Sequence, residues 1–150
     1  MKILMVCLGN ICRSPIAEGI LRDQARKLNL KIETDSAGTS AHHTGEAPDH
    51  RMQKTALKNG VDISDLRARQ FVVADFDLFD LIYAMDEENY HNILSLARND
   101  SDVKKVKMIL NEVDPGANNE VPDPYFGGDA GFQHVIDLLN VAVTKIISRI

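Results

Sequence analysis

Residues 6–15 read VCLGNICRSP, and both cysteines of the chain, Cys7 and Cys12, fall inside this stretch. Residues 3–7 in front of it are an unbroken apolar run. That is the mark of a strand buried on both faces, as in a parallel sheet. Ser14-Pro15 behind it reads as a helix start, with Ser as N-cap and Pro at the first helical position. A strand that passes to a helix through a short loop carrying glycine, asparagine and arginine sets the pattern for the rest of the chain.

Working outward, Ala17, Leu21, Ala25 and Leu28 form an apolar stripe at helical spacing, flanked by Ile16 and Ile20. Residues 31–37 read as a second strand ended by Gly38. Residues 48–59 read as a helix closed by Gly60, and residues 81–85 as a third strand. Asp86, Glu87 and Glu88 make an acidic first turn for a helix running to about residue 98. Residues 106–110 read as the last strand. Phe132, Val135, Ile136, Leu139, Ala142, Val143, Ile146 and Ile147 then recur as one face of a long C-terminal helix. Alternating strands and helices predict an α/β fold: one domain over residues 1–150, with an open parallel sheet of about four strands and helices on both faces. Ligands of such sheets bind beyond the carboxyl ends of the strands. The loop after strand one lies there, and the loop at residues 111–131 is expected to rise from the same edge.

The chain has 150 residues, 44% hydrophobic and 26% charged, with a formal net charge of −5. That balance fits a globular domain and argues against a nucleic-acid or acidic-membrane binder. No apolar stretch is long enough to span a bilayer, and the N-terminus does not read as a secretory signal. The expectation is a cytoplasmic protein. Two cysteines so close together are not a secreted disulfide framework. They are expected as thiols kept for chemistry.

Five residues, Leu8, Gly9, Asn10, Ile11 and Cys12, separate Cys7 from Arg13. A loop of that length can wrap a tetrahedral anion with its N–H groups turned inward. The helix N-terminus adds further N–H groups and a positive dipole end. Arg13 can grip two oxygens with its planar fork. Gly9 and Asn10 tolerate the left-handed backbone that a tight wrap needs. The same surroundings favour the thiolate of Cys7, a nucleophile under the bound phosphate, and the Ser14 hydroxyl can donate to that sulfur. A nucleotide P-loop would need a lysine that this loop lacks. A zinc site would need soft ligands that the five histidines, His42, His43, His50, His91 and His134, do not supply at the right spacing. A buried strand cysteine beside a surface arginine is the plainer reading of Cys7 and Arg13, but it leaves the surrounding pattern unexplained.

VCLGNICRSP resembles the signature of the low-molecular-weight protein-tyrosine phosphatases. The family's further motifs follow in order: D-S-A-G-T-S at residues 35–40, G-E-A-P-D-H-R at 45–51, A-R-Q at 68–70, A-M-D-E at 84–87 and V-P-D-P-Y at 121–125. The resemblance covers nearly the whole chain. It implies a phosphomonoesterase with a phosphocysteine intermediate and neither metal nor cofactor. In that picture Cys7 is the nucleophile and Arg13 binds phosphate and transition state. Asn10 shapes the loop, while Ser14 and Ser36 steady it and the thiolate. Asp123 protonates the leaving phenolate and then activates water. Its place between Pro122 and Pro124, in a loop at the active edge, suits a held catalytic group. Asp129 and Asp86 are the rival carboxylates, but each reads as the cap of its own helix.

Tyr125 and Phe126 are expected as one wall of a slot for a flat phosphotyrosine ring. Ile11 lies at its mouth, and His42 or His43 stands where relatives often carry an aromatic. Leu66 replaces a histidine that in some relatives holds the loop asparagine, so loop rigidity should rest more on Ser14 and Ser36. The resemblance also implies that Cys12 captures an oxidised Cys7 as a disulfide; the plainer reading of Cys12 is a small apolar filler. An arsenate reductase of this fold would need cysteines beyond Cys12, and there are none. Arginine phosphatases of the fold tend to carry threonine where this chain has Ile11. A phosphate-binding or redox-sensing module without turnover would have no use for Asp123. The expected partners are a phosphotyrosine protein and a tyrosine kinase that the enzyme counteracts, and the expected state is a monomer.

Overall fold

The structure, a computed structural model, describes residues 1–125 and 127–150. Four strands, β1 (Lys2–Cys7), β2 (Glu33–Gly38), β3 (Leu81–Ala84) and β4 (Val106–Met108), form one sheet in the order β2-β1-β3-β4, with every pair parallel. Among the described residues six α-helices connect and follow them: α1 (Arg13–Lys27), α2 (His50–Lys58), α3 (Asp75–Leu78), α4 (Glu87–Leu94), α5 (Asp100–Lys105) and α6 (Asp129–Ser148). A 3-10 turn, Ile109–Glu112, follows β4.

The apolar run of β1 explains itself in this arrangement. Successive side chains of a strand point to opposite faces. Ile3, Met5 and Cys7 join one core with Ile16, Ile20, Tyr83, Phe132 and Leu139. Leu4 and Val6 join a second with Phe71, Phe76, Ile82 and Ile93. So α1 and α6 cover one face of the sheet and α4 the other, as expected. Fully burying each such side chain is worth about 1.5–3 kcal/mol, and only Lys2, at the start of β1, is exposed. From β1 the chain crosses to β2 on one side and later to β3 on the other. The carboxyl end of β1 is therefore the switch point where such sheets open a crevice.

Several boundaries differ from the sequence reading. β2 begins at Glu33, and β4 ends at Met108 because the chain tightens into the 3-10 turn. α4 stops at Leu94, and α5 is a separate helix capped by the Asn99 side chain. α3 and α5, of four and six residues, are too short to carry a periodic stripe. α2 begins at His50, capped by Asp49, whose carboxylate accepts from the N–H groups of Arg51 and Met52. Two expected caps fail. Ser14 lies inside α1, whose N-cap is Cys12, because its hydroxyl is turned to the Cys7 sulfur instead. Asp129 is the first residue of α6, with Gly128 at the cap. No helix among the described residues is long and apolar enough to cross a membrane.

Candidate active site

β1 ends at Cys7, and the chain wraps once before α1 begins at Arg13. The wrap needs one left-handed residue. Asn10 supplies it, with φ 57°, a conformation asparagine tolerates better than most. Its side chain, buried like its backbone, holds the loop from beneath. Asn10 Nδ2 donates to Ser14 Oγ at 2.8 Å and Ser36 Oγ at 3.0 Å, and Oδ1 accepts from the Arg69 N–H at 3.0 Å. Because Ser14 Oγ accepts there, its own proton faces two acceptors, the Cys7 sulfur 3.0 Å away and the Ala37 carbonyl at 3.4 Å. The Asn10 N–H reaches the same sulfur at 3.3 Å.

The chain of bonds continues below the loop. Ser36 Oγ donates at 2.8 Å to Glu18, a buried carboxyl on α1. Burial pushes the Glu18 carboxyl up from its ordinary pKa, against the opposing pull of the Ser36 hydrogen bond. Arg69 is itself fixed by ion pairs to Asp35 at 3.0 Å and Asp75 at 3.1 Å, so its N–H is presented to Asn10. Alongside, Thr39 and Ser40 donate to the carbonyls of Cys7 and Leu8. This close approach requires Gly38, since a Cβ there would lie 2.7 Å from the Leu8 oxygen.

Arg13 is 3% exposed. Its NH1 donates to Asp86 Oδ2 at 2.6 Å and to the Val121 carbonyl at 3.1 Å. Asp86 does cap α4, through Oδ1 and the Asn89 N–H at 2.8 Å, but its other oxygen orients Arg13. The second role leaves no mark in local sequence. Arg13 NH2 lies 3.6 Å from Asp123 Oδ2, too far for a good hydrogen bond. Asp123 is carried there by a chain segment that the Val121 N–H ties to the Met85 carbonyl at 2.9 Å. Asp123 Oδ1 accepts from the Tyr125 N–H at 3.0 Å.

Cys7, Leu8, Gly9, Ile11, Cys12, Arg13, His43 and Asp123 together line a hollow of about 70 Å³. Larger hollows exist, about 610 Å³ at the outer edge of β4 and about 750 Å³ between α6 and the loop after β4. Neither contains a nucleophile beside an arginine, and the small hollow suits one tetrahedral anion. Of the two candidate histidines, His43 lines it. Its ring leans over Gly9, where a Cβ would meet its Cδ2 at 3.0 Å, and Nδ1 lies 3.0 Å from Glu46 Oε2. The His43 ring and the Tyr125 ring lie side by side, with centroids 6.4 Å apart and planes tilted by 48°. His42 instead packs edge-on against His43, with centroids 4.8 Å apart. Phe126 lies outside the described residues. Leu66 packs against the core, and the Arg69 N–H with Ser14 and Ser36 holds Asn10. Cys12 is a free, buried thiol, and burial, helped by Asp49, pushes its pKa far up. Sequence reasoning missed the contributions of Glu18, Arg69 and Asp86 to the loop. Arg69 lies in the A-R-Q stretch at residues 68–70, but nothing local shows that its main-chain N–H is the working group.

The family model described as low molecular weight phosphotyrosine protein phosphatase matches residues 2–150. A Synechocystis sp. protein provisionally named as a low molecular weight protein-tyrosine-phosphatase is 50% identical over 152 residues, covering 100% of this chain and 96% of its own. A crystal structure of a protein tyrosine phosphatase from Entamoeba histolytica, with Hepes in its active site, superposes with a TM-score of 0.93 at 39% identity, covering 99% of this chain and 96% of that one. A structure described as a drosophila arginine phosphatase superposes with a TM-score of 0.89 at 31% identity, covering 99% and 97%.

Proposed function

Since the chain belongs to the low molecular weight phosphotyrosine protein phosphatase family and is a protein-tyrosine phosphatase, we propose that it hydrolyses phosphotyrosine through a phosphocysteine on Cys7. The Cys7 thiolate attacks phosphorus as the bond to the phenolic oxygen breaks. The Asp123 carboxyl gives its proton to the departing phenolate. The Asp123 carboxylate then takes a proton from water, whose oxygen attacks phosphorus and releases the thiolate and inorganic phosphate. Arg13 and the loop N–H groups hold the phosphoryl oxygens throughout. The observation that carries this reading is the convergence of Cys7, Arg13 and Asp123 on one anion-sized hollow. Rapid acid quenching during turnover of a phosphotyrosine peptide should trap phosphate on Cys7. Trapped phosphate on another residue, or none in a burst, would overturn the assignment.

The apolar and aromatic rim, with Ile11 and His43 lining the hollow and the Tyr125 ring beside His43, supports a flat aryl ester over a short serine ester. Equal rate constants on matched phosphotyrosine and phosphoserine peptides would count against this slot. Ile11, an apolar side chain where a guanidinium would have to pass, also argues against phosphoarginine as the preferred substrate. We take the substrates to be phosphotyrosine proteins and the opposing partner to be a tyrosine kinase, so loss of the enzyme should raise phosphotyrosine on that kinase. A cytoplasmic location and a monomeric state are supported by the free thiols and the net charge; cell fractionation and sedimentation test them. Cys12, beside Cys7 in the hollow, suits capture of an oxidised Cys7 sulfur as a disulfide. Peptide mapping after peroxide should find the Cys7–Cys12 bond, and its absence would return Cys12 to a packing role.

A further inference from the structure

Arg51 is a half-exposed arginine at the start of α2, outside the hollow, yet its Nε, its NH2 and the face of its guanidinium are all engaged. Nε and NH2 donate to Asp49 at 3.2 and 3.1 Å. NH2 also donates to the Tyr125 carbonyl at 2.8 Å. Its plane lies over the Phe132 ring of α6, 4.8 Å from the centroid, and near the Tyr125 ring at 5.5 Å. Asp49 in turn is tied to the phosphate loop, since its N–H donates to the Ile11 carbonyl at 2.8 Å. Exposed ion pairs add little to stability, so stability alone is a poor reason for so many bonds on one exposed side chain.

The bonds do have a common direction. Tyr125, gripped by Arg51 through its carbonyl and ring, is the residue whose N–H holds Asp123 Oδ1. We propose that Arg51, braced by Asp49, is a positioning residue for the general acid: it fixes Tyr125 so that Asp123 keeps its Oδ2 over the phosphate hollow. The inference rests on the reading of Asp123 as that acid. The planar fork is needed because one group must reach a carboxylate and a carbonyl while stacking on rings. An ammonium cannot do all three.

The test compares single-turnover rates of wild type, Arg51→Met, Asp123→Ala and the double variant on phosphotyrosine and nitrophenyl phosphate. Misplacement of a catalytic group can cost on the order of a hundredfold, so Arg51→Met should slow phosphotyrosine cleavage roughly ten- to a hundredfold. Nitrophenolate, a better leaving group, should lose only a few-fold. Added to Asp123→Ala, the same change should have little further effect, since the two would act as one unit. Vanadate binding should be unchanged. Equal losses on both substrates, or a loss that persists in the Asp123→Ala background, would overturn the proposal. If Asp123→Ala shows the leaving-group contrast and Arg51→Met does not, the acid stands and only the role of Arg51 falls. If Asp123→Ala itself shows no contrast, both fall. Arg51→Lys, which keeps charge and stem, gives the same comparison if the methionine variant does not fold.

Discussion

The phosphate loop and the segment that carries Asp123 meet in the same hollow but are built in opposite ways. Around the loop, Asn10, Ser14, Ser36 and Glu18 are all buried and bonded to one another, ending at the Cys7 sulfur. The Asp123 carboxylate is 39% exposed, and its neighbour Tyr125 is held from outside by Arg51. An anion cradle gains from donors fixed before the anion arrives, because nothing then has to reorganise. The proton donor proposed at Asp123 must instead meet a bulky leaving group and later a water, which requires an open side. The difference predicts that changes in the cradle damage folding and rate together, whereas changes in the acid segment damage rate alone.

The largest effect that tests this contrast is Asp123→Ala. General acid catalysis typically supplies about a hundredfold to ten-thousandfold, and a loss of that order is expected on phosphotyrosine. Stability should move by no more than about 0.5 kcal/mol, the usual range for exposed positions. A thermal melt that drops by several degrees alongside the rate would mean that the segment is structural, and the contrast would fail.

How far the sequence foretold each region follows from the same difference. The loop was legible because its constraints are local: a buried strand, a residue for left-handed backbone, an arginine at the helix start. All of these lie within residues 3–15. The placement of Asp123 at the hollow was legible from its two flanking prolines and the family's motif. What sequence hid were contacts made across the fold by groups with another visible job. Asp86 read as a helix cap, which it is, while its second oxygen orients Arg13 from 73 residues away in sequence. Arg69 acts through its main chain, which has no residue-type signature. Ser14 read as a cap by its position before proline, but the thiol outcompeted the helix for its hydroxyl. Which of the two histidines lines the hollow shows only in the fold, where the ring of His43 leans over Gly9.

Within the cradle, Asn10→Ala should be the next largest change. It leaves Ser14, Ser36 and the Arg69 N–H each short of a partner, and it puts a Cβ without a polar tip at a positive φ. Buried groups left unpaired cost about 1–3 kcal/mol each where nothing replaces the bond. Partial relaxation makes a total of about 2–4 kcal/mol reasonable on that scale. Denaturant melts measure it, and turnover should fall in the same variant. Asn10→Gly separates the two causes, since it removes the side chain but not the tolerance of positive φ. If Asn10→Ala folds as well as wild type, the preorganised cradle is not what holds the loop.

The smallest effect lies deepest, at Glu18. Burial raises its pKa in the folded protein above the unfolded value. A group of that kind binds more protons when folded than when unfolded over the interval between the two values. Its contribution is therefore fully present below the unfolded pKa and is lost as pH rises through the folded one. Once ionised, the carboxylate sits buried on a single hydroxyl donor, with the Arg22 charge favouring it and Asp35 and Asp65 opposing it. Glu18→Gln keeps an oxygen that can accept from Ser36 and removes the charge. It should therefore stabilise the protein by on the order of 1 kcal/mol at pH values above the folded pKa, where the wild-type carboxyl is ionised. The gain over wild type should shrink as pH falls and the wild-type carboxyl takes up its proton. Chemical denaturation of both proteins on either side of the folded pKa reads this directly. A glutamine variant less stable than wild type above that pKa would show that the ionised carboxylate holds Ser36, and through it Asn10, more firmly than a neutral acceptor can. The cradle would then depend on a buried charge as well as on its hydrogen bonds, a stronger contrast with the open acid segment than its bonding pattern alone provides.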